Sequence, residues 1–479
     1  MRKISVLEIQ FADSEIDDTA LFAGLFSQAA LLDAFKEHFS HSTSKGTDRL
    51  NGFQFAVYAG GELTLASRKC MDGTYRFAPY LEVLKTKGRK KAPRTIGIPT
   101  IRDRVVLAQL NRFLSAVFPE CVPRNVASTY VRAIAEDLPK RDASATWICS
   151  TDIKTFYDSI QRPRMLSLLE KKIRAPAALN LIRHALNTSI VPKNTCRKLH
   201  KEFREETGVP QGLAISNILA SIYMQPVDNA MLNLGVSYRR YVDDVLMYGT
   251  HEDVQTAFKS LNSRLRHRGL GLHSLTSGKT HIAQFGAPFG YLGYYFVGNK
   301  ITVRDSTIER FLQSIAAKFS DFTYNKSHRL EKFKYLNEAR LADIFLMELN
   351  ERITGAIRDK RRYGWIAYFS QINDLSLLHR LDHTIRELFS RLPEFQRQAP
   401  TGLKTLRRSY WEMRFNPIGG YVRDYDKITT TAQKLEFLVL RGRIGGDESL
   451  TDEQIDGRFE NYIGHILSAM HADEGAVYG

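Results

Sequence analysis

Three carboxylates in this chain are spaced so that folding could gather them. Asp152 closes the apolar run Trp147-Ile148-Cys149-Ser150-Thr151, which predicts a strand with an acid at its mouth. Asp243 and Asp244 stand between Tyr238-Arg239-Arg240-Tyr241-Val242 and Val245-Leu246-Met247-Tyr248, two β-prone runs that predict a hairpin with a two-Asp turn. Phosphoryl transfer assisted by two divalent cations needs carboxylates from separate segments, because ions roughly 3.5–4 Å apart must clamp both the attacking and the leaving oxygen. Adjacent acids at a hairpin tip repel each other unless water or a cation screens them. Taken alone, Asp243 and Asp244 therefore fit either a solvated turn or a metal site.

The elements that must position these acids are of mixed type. From about residue 50 to 300 helical segments alternate with short strand-like runs, the pattern of an α+β or α/β region. Before it, Leu21, Phe22, Leu25, Phe26, Ala29, Leu32 and Phe35 recur at helical spacing, and the polar stretch from His41 to Asp48 reads as a loop. After about residue 305 strand signals fade. There Leu378, Leu381, Ile385, Leu388 and Leu392 make one apolar stripe on a helix beside Arg380, Arg386 and Arg391, which reads as core packing with a solvated basic flank. Residues 419–426 read as a loop, with helices expected over Thr430 to Ile444 and Gln454 to Met470.

With 479 residues, 43% of them hydrophobic, the chain can form about three domains, each with a core. Its net charge of +16 favours a polyanionic partner, nucleic acid first, since each neutralised phosphate releases condensed counterions. Cys70, Cys121, Cys149 and Cys196 are too scattered for a zinc site or a disulfide framework and read as reduced thiols. Met1-Arg2-Lys3 soon meets Glu8, Asp13 and Glu15, so an apolar signal stretch is lacking, and no run is long enough to span a bilayer. The expected location is cytoplasmic, with no membrane partner.

Company changes the reading of the acids. Tyr241-Val242-Asp243-Asp244 resembles the YxDD box of reverse transcriptases, and Ser150-Thr151-Asp152-Ile153-Lys154-Thr155-Phe156-Tyr157 resembles their first-aspartate motif. Between them, Gly208-Val209-Pro210-Gln211-Gly212-Leu213-Ala214-Ile215-Ser216-Asn217 is similar to the family's PQG segment. Gly278-Lys279-Thr280 resembles its KT motif, and Phe289-Gly290-Tyr291-Leu292-Gly293-Tyr294 its primer grip. Upstream, Gly73-Thr74-Tyr75-Arg76-Phe77-Ala78-Pro79, Arg94-Thr95-Ile96-Gly97-Ile98-Pro99 and Asp103-Arg104 resemble the fingers of bacterial, group II intron-like enzymes. The resemblance runs in order from about residue 45 to 300 and implies an α+β right-hand polymerase. Its parts would be an N-terminal helical extension (1–45), fingers (46–145), palm (146–304, with a fingers segment at about 161–205), helical thumb (305–400) and helical C-terminal appendage (401–479).

The same resemblance implies roles. Asp152 and Asp243 would hold two Mg²⁺ ions, for which Mn²⁺ could substitute, with Asp244 and the Ile153 carbonyl assisting. Lys279 would protonate the leaving pyrophosphate. Arg94, with Lys90 and Lys91 as alternatives, would grip the triphosphate. Gln211 and Gly212 would pack on template and incoming base, and Tyr157 would be a steric gate against the ribose 2′-hydroxyl. Tyr291, Leu292 and Gly293 would grip the primer.

Leu349-Asn350, Gly364 to Phe369 and Leu381-Asp382 loosely resemble the thumb of group II intron enzymes, whereas intron endonuclease segments and retron signatures are not evident. This leaves a stand-alone bacterial reverse transcriptase acting with deoxynucleoside triphosphates and an RNA template, expected to be a structured non-coding RNA, in anti-phage defence, with a DNA product. A homo-oligomer stays open. The rivals are template-independent or protein-primed deoxynucleotide addition, with Tyr478 as a candidate priming hydroxyl, an RNA-dependent RNA polymerase, and a non-catalytic RNA-binding scaffold. Residues 401–479 read as a helical cap, or else as an oligomerisation or RNA-binding appendage.

Overall fold

The computed structural model describes residues 17–86, 92–123, 125–416, 419–445 and 448–474. Lys90, Lys91 and Tyr478 lie outside them. The chain divides into two units, one built from 1–123 with 157–225 and the other from 124–156 with 226–479.

In the first unit, helices Asp18–Leu25, Gln28–His38, Ala59–Met71 and Ile101–Val117 surround an aromatic cluster in which Phe22 stacks on Phe26 and meets the edge of Phe113. Asp17, Ser27 and Thr100 start three of these helices by accepting first-turn backbone N–H groups. Strands Tyr80–Lys85 and Arg94–Ile98 form an antiparallel hairpin, and Ile190–Val191 adds to it in parallel. Asp103 is wholly buried and accepts from the Tyr75 hydroxyl (2.5 Å) and the Ala78 N–H (2.9 Å). These bonds tie the segments before and after the hairpin together. Burial pushes the Asp103 carboxyl up, opposed by the neighbouring Arg102 guanidinium.

The second unit is built on an antiparallel sheet in the order Ser237–Tyr241, Asp244–Gly249, Trp147–Asp152, His281–Gln284. The two central strands are buried along their middles, as their continuous apolar runs require. Helix His251–Arg266 covers one face through Val254, Ala257, Leu261 and Leu265, which fall on one helical stripe. Elsewhere in this core, Val131 and Ile134 of helix Ala127–Asp137 pack with Ile148, Leu246 and Tyr248. The core continues through a meander, Phe289–Tyr291, Tyr294–Val297 and Lys300–Val303, into helices Asp305–Lys332, Glu338–Thr354, Leu375–Leu388 and Leu406–Phe415. A further core around Tyr425, Phe437, Phe459 and Tyr462 joins helices Thr431–Leu440 and Asp452–Asp473.

The mixed α+β class read from the sequence holds, and four local readings are corrected. The hairpin turn is Val242 and Asp243, while Asp244 already pairs with Tyr241 as a strand residue. Strands do occur after residue 305, since Ala356–Arg358, Arg361–Tyr363 and Arg423–Asp424 form a small sheet. Arg423 and Asp424 thus lie in a strand where a loop was expected. Leu378, Leu381 and Ile385 are core residues of one helix, but that helix ends at Leu388, before Leu392.

Candidate active site

Cross-strand register gathers the acids of the second unit. Asp152 sits directly opposite Asp244 on neighbouring antiparallel strands, a placement that brings Cβ atoms to roughly 4.5–5.5 Å. The Ile153 N–H donates to the Asp243 carbonyl (3.0 Å), which fixes the end of the central strand to the hairpin turn. Burial pushes the Asp244 carboxyl up to about 8; Asp243 and Asp152 reinforce the shift, and Arg304 and Lys279 oppose it. Like charges held this close call for a counter-cation. Among the described residues no group of three His, Cys, Asp or Glu side chains stands at metal-holding spacing. The Lys279 ammonium is paired with Asp152 and lies 3.1 Å from His273 Nε2. The donor set of carboxylates and a neighbouring backbone carbonyl nevertheless has the hard-oxygen chemistry that suits a divalent ion such as Mg²⁺.

Several residues that sequence reasoning did not single out hold this group. Arg240 donates through Nε and Nη2 to both oxygens of Asp228 (2.8 and 2.6 Å) and through Nη1 to the Val242 carbonyl (2.8 Å). The Tyr238 hydroxyl also donates to Asp228, at 2.8 Å. This clamp grips a turn whose first residue, Val242, has φ +56°, a conformation unfavourable for a β-branched side chain. Val242→Gly is therefore expected to stabilise the protein by about 1 kcal/mol, the relieved strain exceeding glycine's entropy cost, as a raised thermal midpoint would show. His273 Nε2 lies 3.4 Å from Asp152 Oδ2, and the His273 backbone N–H donates to the Asp152 carbonyl (3.2 Å). Gly290 leaves the space that the Arg304 guanidinium fills, since a Cβ there would stand 2.2 Å from Arg304 Nη2. The Arg240 neighbourhood was visible as Arg239-Arg240 beside the acids, but the partners of Arg240, His273 and Arg304 depend on folding.

The predicted primer-grip residues form the turn that follows Phe289–Tyr291. Leu292 (φ +51°) and Gly293 (φ +81°) are both left-handed, as a two-residue hairpin turn of this hand requires. Tyr291 and Leu292 are buried, the Leu292 carbonyl accepts from the Tyr368 hydroxyl (3.2 Å), and Ser150 Oγ donates to the Gly290 carbonyl (2.7 Å). The meander is thereby tied to the central strand.

The remaining predicted residues belong to the first unit and form a group of their own. Gly97 N–H donates to the Gln211 carbonyl (2.8 Å), and Gln211 Nε2 donates to Asp158 (3.0 Å). Gly212 has φ +99°, and a Cβ there would come within 2.6 Å of Ile96 and 2.7 Å of the Gly97 carbonyl, so only glycine fits. The Tyr157 hydroxyl donates to Asn217. Arg94 opens the second strand of the antiparallel hairpin, and its buried Nε has no hydrogen-bond partner among the described residues.

Comparison with known proteins adds to this geometry. Residues 83–296 match the family model described as reverse transcriptase (RNA-dependent DNA polymerase). The chain is 31% identical over 170 residues to an uncharacterized 91 kDa protein in the cob intron of Schizosaccharomyces pombe, covering 33% of this chain and 20% of that protein. It is 24% identical over 203 residues to the group II intron-encoded protein LtrA of Lactococcus lactis subsp. cremoris, covering 41% and 32% respectively. The chain thus spans 20% to 32% of the length of these relatives. Among solved structures, a telomerase from Candida albicans in complex with a fragment of telomeric RNA aligns with 68% of this chain and 64% of its own, at a TM-score of 0.41 and 12% identity. No helix among the described residues is long and apolar enough to cross a membrane.

Proposed function

We propose that this chain, whose residues 83–296 match the reverse transcriptase family model, is an RNA-directed DNA polymerase of the right-hand class working by two-metal phosphoryl transfer. The observation that carries the mechanism is the register that sets Asp152 against Asp244, with the turn bearing Asp243 bonded to Ile153. Asp152, Asp243, Asp244 and the Ile153 carbonyl would hold two Mg²⁺ ions, or Mn²⁺ in their place. When bound, such ions acidify the primer 3′-hydroxyl and offset charge on the departing pyrophosphate. Lys279, held between Asp152 and His273, would release its Nζ proton to that pyrophosphate. The unsatisfied Arg94 Nε supports a triphosphate grip. Gln211 and Gly212 would bound the base, and Tyr291, Leu292 and Gly293 the primer end.

Tyr157, braced by Asn217, would exclude the ribose 2′-hydroxyl. Tyr157→Val is expected to raise ribonucleotide incorporation relative to deoxynucleotide about tenfold or more, the scale of relieving one steric clash. Single-nucleotide addition with matched triphosphates measures it, and unchanged discrimination would remove the gate.

The chain's charge of +16 supports a nucleic-acid template; that this is a structured non-coding RNA, used in anti-phage defence, follows from reading the chain as a stand-alone bacterial member of the family whose motifs it resembles. The test is to purify the protein with its bound nucleic acid, supply Mg²⁺ and labelled nucleotides, and sequence the product against the copurified RNA. Complementary DNA is expected; product without complementarity would mean terminal transfer. Phage plating on cells carrying the wild type or Asp243→Asn tests the setting, and equal protection by both would refute it.

A further inference from the structure

Helix Leu406–Phe415 buries Leu406, Ser409, Tyr410 and Glu412 and turns Arg407, Arg408, Trp411, Arg414 and Phe415 outward. These five outward positions make one continuous face at helical spacing. Trp411 is 51% exposed and Phe415 67%, unusual for side chains with so much apolar surface to bury. Their ring centroids are 5.8 Å apart with planes inclined by 40°, so the rings form a side-by-side platform open to solvent. Among the described residues the Arg407 and Arg414 guanidinium groups bond to His379 and to the Tyr410 hydroxyl and to no carboxylate, although the Asp382 carboxylate, which accepts from the Arg407 backbone N–H, lies near enough to feel the Arg407 charge. Lys404 and Arg408 lie 4.8 and 4.7 Å from the Tyr421 ring centre. The acid of this helix, Glu412, is buried and already paired with Arg408.

From this face we infer that helix Leu406–Phe415 seats a single-stranded stretch of nucleic acid, with bases on Trp411 and Phe415 and phosphates on Arg407 and Arg414. Unpaired bases present flat faces to such rings, which a duplex hides by stacking. Trp, Phe and Arg also suit a protein interface, but three of the five outward positions are arginine and none is acidic, in a chain of net charge +16, and that balance favours a polyanion. The inference concerns binding and does not require the polymerase reading.

The experiment measures binding of the full chain to a short single-stranded RNA, a single-stranded DNA of the same sequence and an RNA duplex, by fluorescence anisotropy across a salt series. The double variant Trp411→Ala/Phe415→Ala is expected to bind single strands about tenfold or more weakly, with duplex affinity unchanged. Arg407→Gln and Arg414→Gln should each lower the slope of log affinity against log salt by about one. Loss for RNA alone would identify the occupant as RNA, and equal loss for DNA would support strand binding without preference. Single-strand affinity equal to wild type in the double variant, or an equal loss for duplex, would overturn the inference. So would unchanged strand affinity with an altered sedimentation coefficient, which would make the face a contact between copies. Thermal midpoints confirm that the variants fold, and nucleotide addition measured in parallel on the wild type separates a failure here from a failure of the polymerase reading.

Discussion

Asp152→Asn or Asp243→Asn is expected to lower deoxynucleotide addition about a thousandfold or more, the scale of losing several kcal/mol of charge stabilisation in the transition state. Asn keeps the shape of Asp and removes the negative charge that would hold a cation. Asp152→Asn also removes the ion pair with Lys279. Thermal midpoints of both variants check that a loss of synthesis is not a loss of fold. Mg²⁺ should raise the wild-type thermal midpoint, since a ligand of the native state stabilises it, and should raise that of Asp243→Asn much less. Near-normal synthesis by either variant would refute the assignment of these acids. An unchanged Mg²⁺ response would place the metal elsewhere.

The second large effect is expected at the clamp behind the turn. Asp228→Ala should destabilise the protein by roughly 3–5 kcal/mol, because it strands a mostly buried guanidinium without its counter-charge. The Arg240 side chain is 10% exposed and that of Asp228 21%, so solvent cannot replace the lost partner. Asp228→Asn keeps one acceptor oxygen and should lose less. Chemical denaturation gives the numbers, and a loss below about 1 kcal/mol for Asp228→Ala would mean that the pair is effectively solvated. Arg240→Lys supplies a functional readout: one ammonium cannot serve both Asp228 oxygens and the Val242 carbonyl with a planar fork. Nucleotide addition should fall while RNA affinity holds, because the turn that presents Asp243 loses its brace.

How far the fold could be read from the residues depended on length and periodicity. Trp147–Asp152 was legible as a strand to the residue, because a continuous β-prone apolar run ends there on an acid. Leu378, Leu381 and Ile385 were legible as core from helical spacing. The turn at Val242 was not, because a β-branched residue gives no signal for positive φ; pairing on both sides imposes it. The strands Ala356–Arg358 and Arg423–Asp424 are two or three residues long, too short to show alternation. At the site, the acids and Lys279 were visible as motif residues. Asp228, His273 and Arg304 were not, since their relation to the acids arises only when distant segments pair.

The division of the chain also sets a timetable for its synthesis. The central strand Trp147–Asp152 belongs with residues made later, whereas 157–225 return to the first unit. Its partner Asp244–Gly249 emerges about 90 residues afterwards, a wait of roughly 5–20 s at ordinary rates of translation. During that interval one of the most apolar strands in the protein has both edges unpaired, the state most exposed to wrong pairing with another nascent chain. The first unit can meanwhile close on itself as soon as 157–225 have emerged, so the nascent protein is expected to pass through a stage in which one half is folded and the acid-bearing strand still waits.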